Sequence, residues 1–454
     1  MIAPPSGPRL PGWQRPCVLA PAEGAPPRRY VPFLWASLGL TLTFGTTLGA
    51  INIARLTGPW GFLSRPSVWA HGYAQFFGFF ALFIMGFACH ALPRFVGAAL
   101  RWPALATAAL WLQVGGVVAV AGGWVFLPEG ARLLWFLGAV ALVAGAVAFL
   151  LVVVGTLRGR ARPPESFERW MVAGASWLVA GALLALVAAA QDDIGWHHVL
   201  WPVMLYGFVG SWILGTGQRL FPISLGWRPR WPRLETPAFA LYQLGAAAWA
   251  IGAWPDESAG LRAMRAAGAL LLLGATPVVV AILGLGGARQ PWARPGVDRD
   301  YERYVGAAWA WLFVGLAAGP LFTVFAVARA DYGSLAMLDF SRHTVAVGFA
   351  TQFVMGIGSR FVPAFTGGAL WSPRAHRAAF WLLNLAVVLR GLEALVATGL
   401  WPGAWPLLSL SGPPVVLAVL LFALNVLSAL RPQPLGPFRR IGALAGAPGF
   451  RSAV

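Results

Sequence analysis

The chain has 454 residues, of which 58% are hydrophobic and only 11% charged, with a mean hydropathy of +0.70. No water-soluble body can hide so large an apolar fraction, so the composition excludes a soluble globular protein and places the chain in a lipid bilayer. Its 33 basic residues, all arginine, against 15 acids leave a net charge of +18; that excess is read as a marker of membrane orientation, and no nucleic-acid partner is expected.

Residues 1–30 are rich in Pro and Arg, with no short apolar run and no small-residue cleavage site, and read as a cytoplasmic tail rather than a cleaved signal. Two cysteines, Cys17 and Cys89, supply no disulfide framework and no C-x-x-C pair. From residue 31 to 430, apolar runs near twenty residues long recur, each able to cross about 30 Å of hydrocarbon at about 1.5 Å per residue. Twelve helices are expected: Pro32–Ile53, Trp69–Leu92, Ala104–Trp124, Leu133–Val154, Met171–Ala190, His198–Phe221, Pro237–Trp254, Ala266–Leu285, Val305–Ala328, His343–Pro363, Ala378–Gly399 and Leu410–Leu430. Residues 431–454 form a second cytoplasmic tail. Helices rather than a barrel follow because alternating ten-residue segments are absent.

The charges test this topology. With both termini and the even-numbered loops on one side, that side holds 25 of the 33 arginines and seven of the 15 acids, hence the entire surplus. By the positive-inside rule this face, with both termini, is cytoplasmic.

An internal repeat is legible before any catalytic motif. In helices two, six and ten, Gly78, Gly207 and Gly348 each precede Phe; eight residues later stand Gly86, Gly215 and Gly356, and seven further Pro93, Pro222 and Pro363. Four residues after the second glycine come His90, Arg219 and Arg360, and 27 or 28 after it, in the next helix, Gln113, Gln243 and Asn384. The spacing predicts three pseudo-symmetric four-helix units, about 31–157, 170–285 and 304–430, and differs from a six-plus-six transporter. For the glycines, close helix packing is a sufficient reading.

Four of the six histidines head the three equivalent helices: His71, His197 and His198, and His343. Relative to the repeat glycines they fall within about 8 Å of depth. Imidazoles from several helices at one level suit haem iron or copper, and that reading is preferred to four separate interfacial histidines. His71 and His343 differ by two positions in the repeat frame, about 200° of helix, so they suit an off-axis haem between helices two and ten; His198 and His343 share a face, and the pairing stays open. Arg390 and Glu393, at i and i+3 in helix eleven, are either a mutual ion pair or a propionate partner with an orienting carboxylate. His90, Arg219 and Arg360 lie about 28 Å away along the helices and read as anchors. His376 reads as solvated, and Asp192, Asp193, Asp331 and Asp339 as a wet acidic rim. There is no phosphate loop, HExxH, GxSxG or CxxCH, so any haem is noncovalent.

The runs WAHGYAQFFGFFALFIMGF, GTGQRLFP and HTVAVGFATQFVMGIGSRFVPAFTGGAL, with His343, Gly348 and Arg360 in register, resemble the NnrS family of twelve-helix bacterial membrane proteins over about residues 30 to 430. The threefold plan also resembles subunit I of the haem-copper oxidases and nitric-oxide reductases. The resemblance implies an all-α, oxidase-subunit-I-like membrane protein of the bacterial inner membrane that holds haem, with copper as a second cofactor, and acts under nitric oxide or nitrosative stress. It implies nitric oxide, or a small metal or thiol ligand, as partner beside the lipid. Cofactor contacts are expected from His71, His343 and Arg390, and metal contacts from His71, His197, His198 and His343. Gly72 stands where the family often has an acid, and Phe365 where a His-Thr-Gly motif has its His, leaving Thr366 and Gly367. Helix six lacks His-Pro-Glu-Val-Tyr and helix ten a second His, so a binding or redox protein is expected rather than a turnover enzyme. Two rivals remain: a secondary transporter with a cavity lined by Gln113, Gln243, Asn384, Arg390 and Glu393, and a divergent oxidase or nitric-oxide reductase subunit.

Overall fold

The computed structural model describes residues 28–58, 64–127, 130–255, 258–285, 287, 300–324, 335–366 and 368–430. Both tails beyond these limits, with Cys17, and the loop residues Arg289, Arg294, Arg299 and Asp331, lie outside the described residues. The helices are α1 (Tyr30–Thr57), α2 (Arg65–Val96), α3 (Pro103–Phe126), α4 (Ala131–Arg158), α5 (Ser166–Gln191), α6 (Ile194–Pro222), α7 (Glu235–Ile251), α8 (Ala259–Ile282), α9 (Tyr301–Val324), α10 (Ala336–Thr366), α11 (Pro373–Ala397) and α12 (Pro402–Ser428). Among the described residues, eleven of these helices are long and apolar enough to cross a bilayer. The other, α7, has 17 residues and covers about 26 Å. The chain is a multi-pass membrane protein.

Local chemistry sets the helix ends. A proline stands in the first turn of α2, α3, α11 and α12, where its missing N–H has no helical partner to lose. Glu165 and Glu168 form a reciprocal capping box at the start of α5. Two ends differ from the hydropathy limits in a way that matters for the site. α2 begins at Arg65 rather than Trp69, and α10 at Ala336 rather than His343. Asp339, Ser341 and Arg342 break the apolar run, yet the helix continues because Ser341 donates to the Gly315 carbonyl at 2.8 Å and Asp339 is paired with Arg390.

Three helices form the centre. In α2, α6 and α10 the apolar stretch is 89%, 94% and 78% buried, whereas no other of the eleven exceeds 50%. The outer helices present apolar side chains outward, among them Trp111, Leu244 and Trp381, as lipid demands. Each central helix contains a π-helical segment, Ala74–Phe80, Val203–Gly210 and Thr344–Thr351, with Gly78, Gly207 and Gly348 fifth in each. The second glycines hold the centre against the preceding helix. A Cβ on Gly86 would lie 2.6 Å from the Cβ of Phe33, one on Gly215 2.4 Å from Trp170 and one on Gly356 2.6 Å from Tyr304. At these positions the spacing is used for close helix contact.

Candidate functional site

His71 sits three residues before the π segment of α2, with the Nδ1–Cε1 edge of its ring against α1. The contact depends on two glycines. At Gly45 the backbone leaves helical geometry (φ −81°, ψ −105°), and its carbonyl accepts from His71 Nδ1 at 2.8 Å. At Gly49 a Cβ would fall 2.5 Å from His71 Cε1, so only glycine leaves the ring its place. One turn beyond, Asn52 and Ser67 lock α1 to α2 through two hydrogen bonds of 3.0 and 2.5 Å. Because a carbonyl oxygen can only accept, Nδ1 carries the proton and Nε2 keeps a free lone pair.

His343 ends the first α-helical part of α10. Its Nδ1 lies 2.9 Å from the Asp339 carbonyl and 3.3 Å from Asp339 Oδ2, so here too Nε2 is left uncommitted. Asp339 accepts from Arg390 Nη2 of α11, and Arg390 Nε is 3.2 Å from Glu393 Oε2. Arg390 and Glu393 are buried, at 9% and 4% exposure. Arg390 therefore lies between two carboxylates, and neither pair engages its Nη1. Asp339, His343, Arg390 and Glu393 thus form one ion cluster from α10 and α11, and His71 of α2 lies within electrostatic range of it. His343 and Asp339 leave 32% and 35% of their side-chain surfaces uncovered.

His197 lies elsewhere. Its ring is stacked on Trp69 (centroids 5.3 Å, interplanar angle 3°) and Trp135 (5.8 Å, 18°), with Tyr73, Trp124 and Trp201 around it. Trp69 and Tyr73 are each two positions from His71, about 200° around the helix, so α2 separates the two histidines. His197 Nδ1 is 3.0 Å from the Ile194 carbonyl, and its buried Nε2 has no hydrogen-bond partner among the described residues. His198, half-buried, lies in the field of Arg342 and Arg265.

The amides expected to line a cavity are each engaged locally. Gln113 donates to the Phe77 carbonyl at 3.2 Å; Gln243 accepts from Trp177 at 2.6 Å and donates to Ser211 at 3.0 Å; Asn384 accepts from Trp311 at 2.8 Å and donates to the Phe380 carbonyl at 2.8 Å. At the opposite end, His90 is buried between Tyr30 and Phe365, with ring centroids 4.8 and 4.0 Å away. Arg219 pairs with Glu165 at 3.3 Å, and Arg360 lies 6.0 Å from the Tyr301 ring. Two expectations are corrected. His376, read as solvated, is 5% exposed and stacked on Tyr304 at 4.7 Å. Asp339, read as a wet loop acid, is a helical residue inside the ion cluster; its i, i+4 spacing to His343 was the signal in the sequence that could have found it.

Among the described residues no group of three or more His, Cys, Asp or Glu is placed to hold a metal ion. The family model described as NnrS protein matches residues 31–433. The chain belongs to the NnrS family. No curated protein matches it in sequence. In structure this NnrS chain is similar to a solved haem-copper terminal oxidase dimer, with a TM-score of 0.69 and 12% identity over 90% of this chain and 85% of that one. At that identity the likeness shows a shared fold.

Proposed function

We propose that this NnrS protein holds a haem between α2 and α10, where Nε2 of His71 and Nε2 of His343 would bind the iron. The observation that carries the reading is the paired presentation of the two imidazoles. Each commits Nδ1 to a carbonyl, which fixes the ring and leaves Nε2 free, the arrangement that orients iron- and zinc-ligating histidines generally. The uncovered surface of His343 and Asp339 supports a space beside them. Arg390, through Nη1, is the group to meet a propionate, and Glu393 orients it. When bound, the haem supplies one-electron chemistry and affinity for nitric oxide. The proposed role is protection under nitric oxide or nitrosative stress, by binding or redox rather than turnover.

Haem carries the reading ahead of copper because a haem needs only one or two protein ligands, whereas a copper site needs about three. His197 and His198 remain the proposed ligands should a second metal bind. The threefold plan, supported by the shared π segments and the three buried helices, is part of the proposal. So is an inner-membrane orientation with the arginine-rich face and both termini cytoplasmic and the histidines near the outer face.

The test is the reduced-minus-oxidised spectrum and iron content of purified protein, wild type beside His71→Ala and His343→Ala. A Soret band lost or shifted in both variants is expected. Wild-type protein with neither Soret band nor iron would leave the transporter rival in its place, and unchanged haem in both variants would remove the ligand assignment.

A further inference from the structure

We propose that Asp339 is the positioning residue of His343: its carboxylate shares the Nδ1 proton of that ring, holds the ring in place and would make His343 the stronger donor of the two iron-binding imidazoles. The inference rests on the haem reading above and goes beyond it by assigning a difference between the two histidines. The geometry is specific. Among the described residues His71 Nδ1 has the Gly45 carbonyl, at 2.8 Å, as its partner. His343 Nδ1 has a carbonyl at 2.9 Å and a carboxylate oxygen at 3.3 Å. Spacing of four residues on one helix puts the Asp339 and His343 side chains on the same face, the aspartate one turn before the ring.

The carboxylate is itself held from the far side. Arg390, 51 residues further along the chain, donates to Asp339 Oδ2, the oxygen that faces His343, and Glu393 steadies the guanidinium at 3.2 Å. The order Glu393–Arg390–Asp339–His343 therefore runs from the core of α11 to the imidazole. An anionic acceptor on Nδ1–H draws the proton from the ring and increases electron density at Nε2, the ligating nitrogen; a neutral carbonyl does so less. A stronger donor favours ferric over ferrous iron. No atom is transferred: the effect is a carboxylate beside the Nδ1–H of one ring and its absence beside the other.

The experiment uses the full chain in detergent with its haem, and reads the reduction potential, the ferric low-spin EPR spectrum and the near-infrared charge-transfer band. Wild type is expected to show the narrowed g spread and blue-shifted band of a ligand with imidazolate character. Asp339→Asn should retain haem, lose both features and lose ferric preference by roughly tenfold, a rise of about 59 mV for a one-electron couple. Asp339→Glu, which keeps the charge but moves the carboxylate by one methylene, should change the band while moving the potential less, and it serves if the asparagine variant does not fold. Glu393→Gln, a carboxylate lost without contact to His343, should shift the potential alone. Haem-loaded wild type with the spectrum of two ordinary imidazoles, or Asp339→Asn spectra identical to wild type, or equal spectral changes in Asp339→Asn and Glu393→Gln, would overturn the inference while leaving haem binding in place. Wild type without haem would overturn both.

Discussion

Replacing Gly49 by alanine tests the placement of His71 directly. The new methyl carbon would stand 2.5 Å from Cε1, 2.7 Å from Nδ1 and 3.2 Å from Nε2 of the ring, where ordinary contact begins at 3.4 Å. The imidazole must therefore retreat by about 0.9 Å, the gap between 2.5 and 3.4 Å, and the 2.8 Å hydrogen bond to Gly45 lengthens beyond bonding range. Overpacking costs about 1–3 kcal/mol and the lost hydrogen bond about 0.5–1.5 kcal/mol, offset by about 1 kcal/mol of improved helix propensity. The expected net loss is about 0.5–3.5 kcal/mol, with haem content reduced because Nε2 no longer points where it did. Gly39, on the same helix, has nothing within 4 Å of an added Cβ; Gly39→Ala should gain up to about 1 kcal/mol and keep the wild-type spectrum. Thermal unfolding in detergent, followed by circular dichroism together with Soret absorbance, compares the two. If Gly49→Ala matched Gly39→Ala in both readings, the ring would not rest on α1 and the site as described would be wrong.

Three further substitutions probe the surroundings. Arg390→Gln leaves Asp339 and the buried Glu393 without their shared cation and should destabilise the protein by about 3 kcal/mol in the same unfolding assay; an unchanged midpoint would show that the network is not formed. His197→Phe keeps the aromatic packing while removing an orphaned buried nitrogen, so stability should hold or rise by about 1 kcal/mol with haem unchanged, and loss of haem would instead make His197 a ligand. Phe365→His places a second imidazole against His90, whose ring centre is 4.0 Å from that of Phe365; calorimetric titration should detect uptake of one nickel or zinc ion that Phe365→Ala lacks.

Much of the architecture was legible in one dimension because a bilayer imposes a length and an apolarity on every crossing. Hydropathy located the twelve helices, and the glycine spacing singled out α2, α6 and α10, which prove to be the most buried. It also placed His71 and His343 at the heads of two of them. Hydropathy failed where charges are paired: it ended α10 at His343 because Asp339 and Arg342 read as aqueous, and the pairing with Arg390 that keeps Asp339 in the helix lies 51 residues away.

Which way each imidazole turns was decided only by the tertiary structure. Depth along a helix follows from residue count, but a ring's direction depends on rotation about the axis and on which helix lies opposite, and neither has a one-dimensional signature. His71 turns toward α1 because Gly45 and Gly49 leave room for it there. His197, at nearly the same depth, is shut away among tryptophans on the other side of α2. The sequence by itself thus determined the membrane class and the helices. The direction of each ring depends on side-chain contacts between segments far apart in the chain, formed only when the bundle closes.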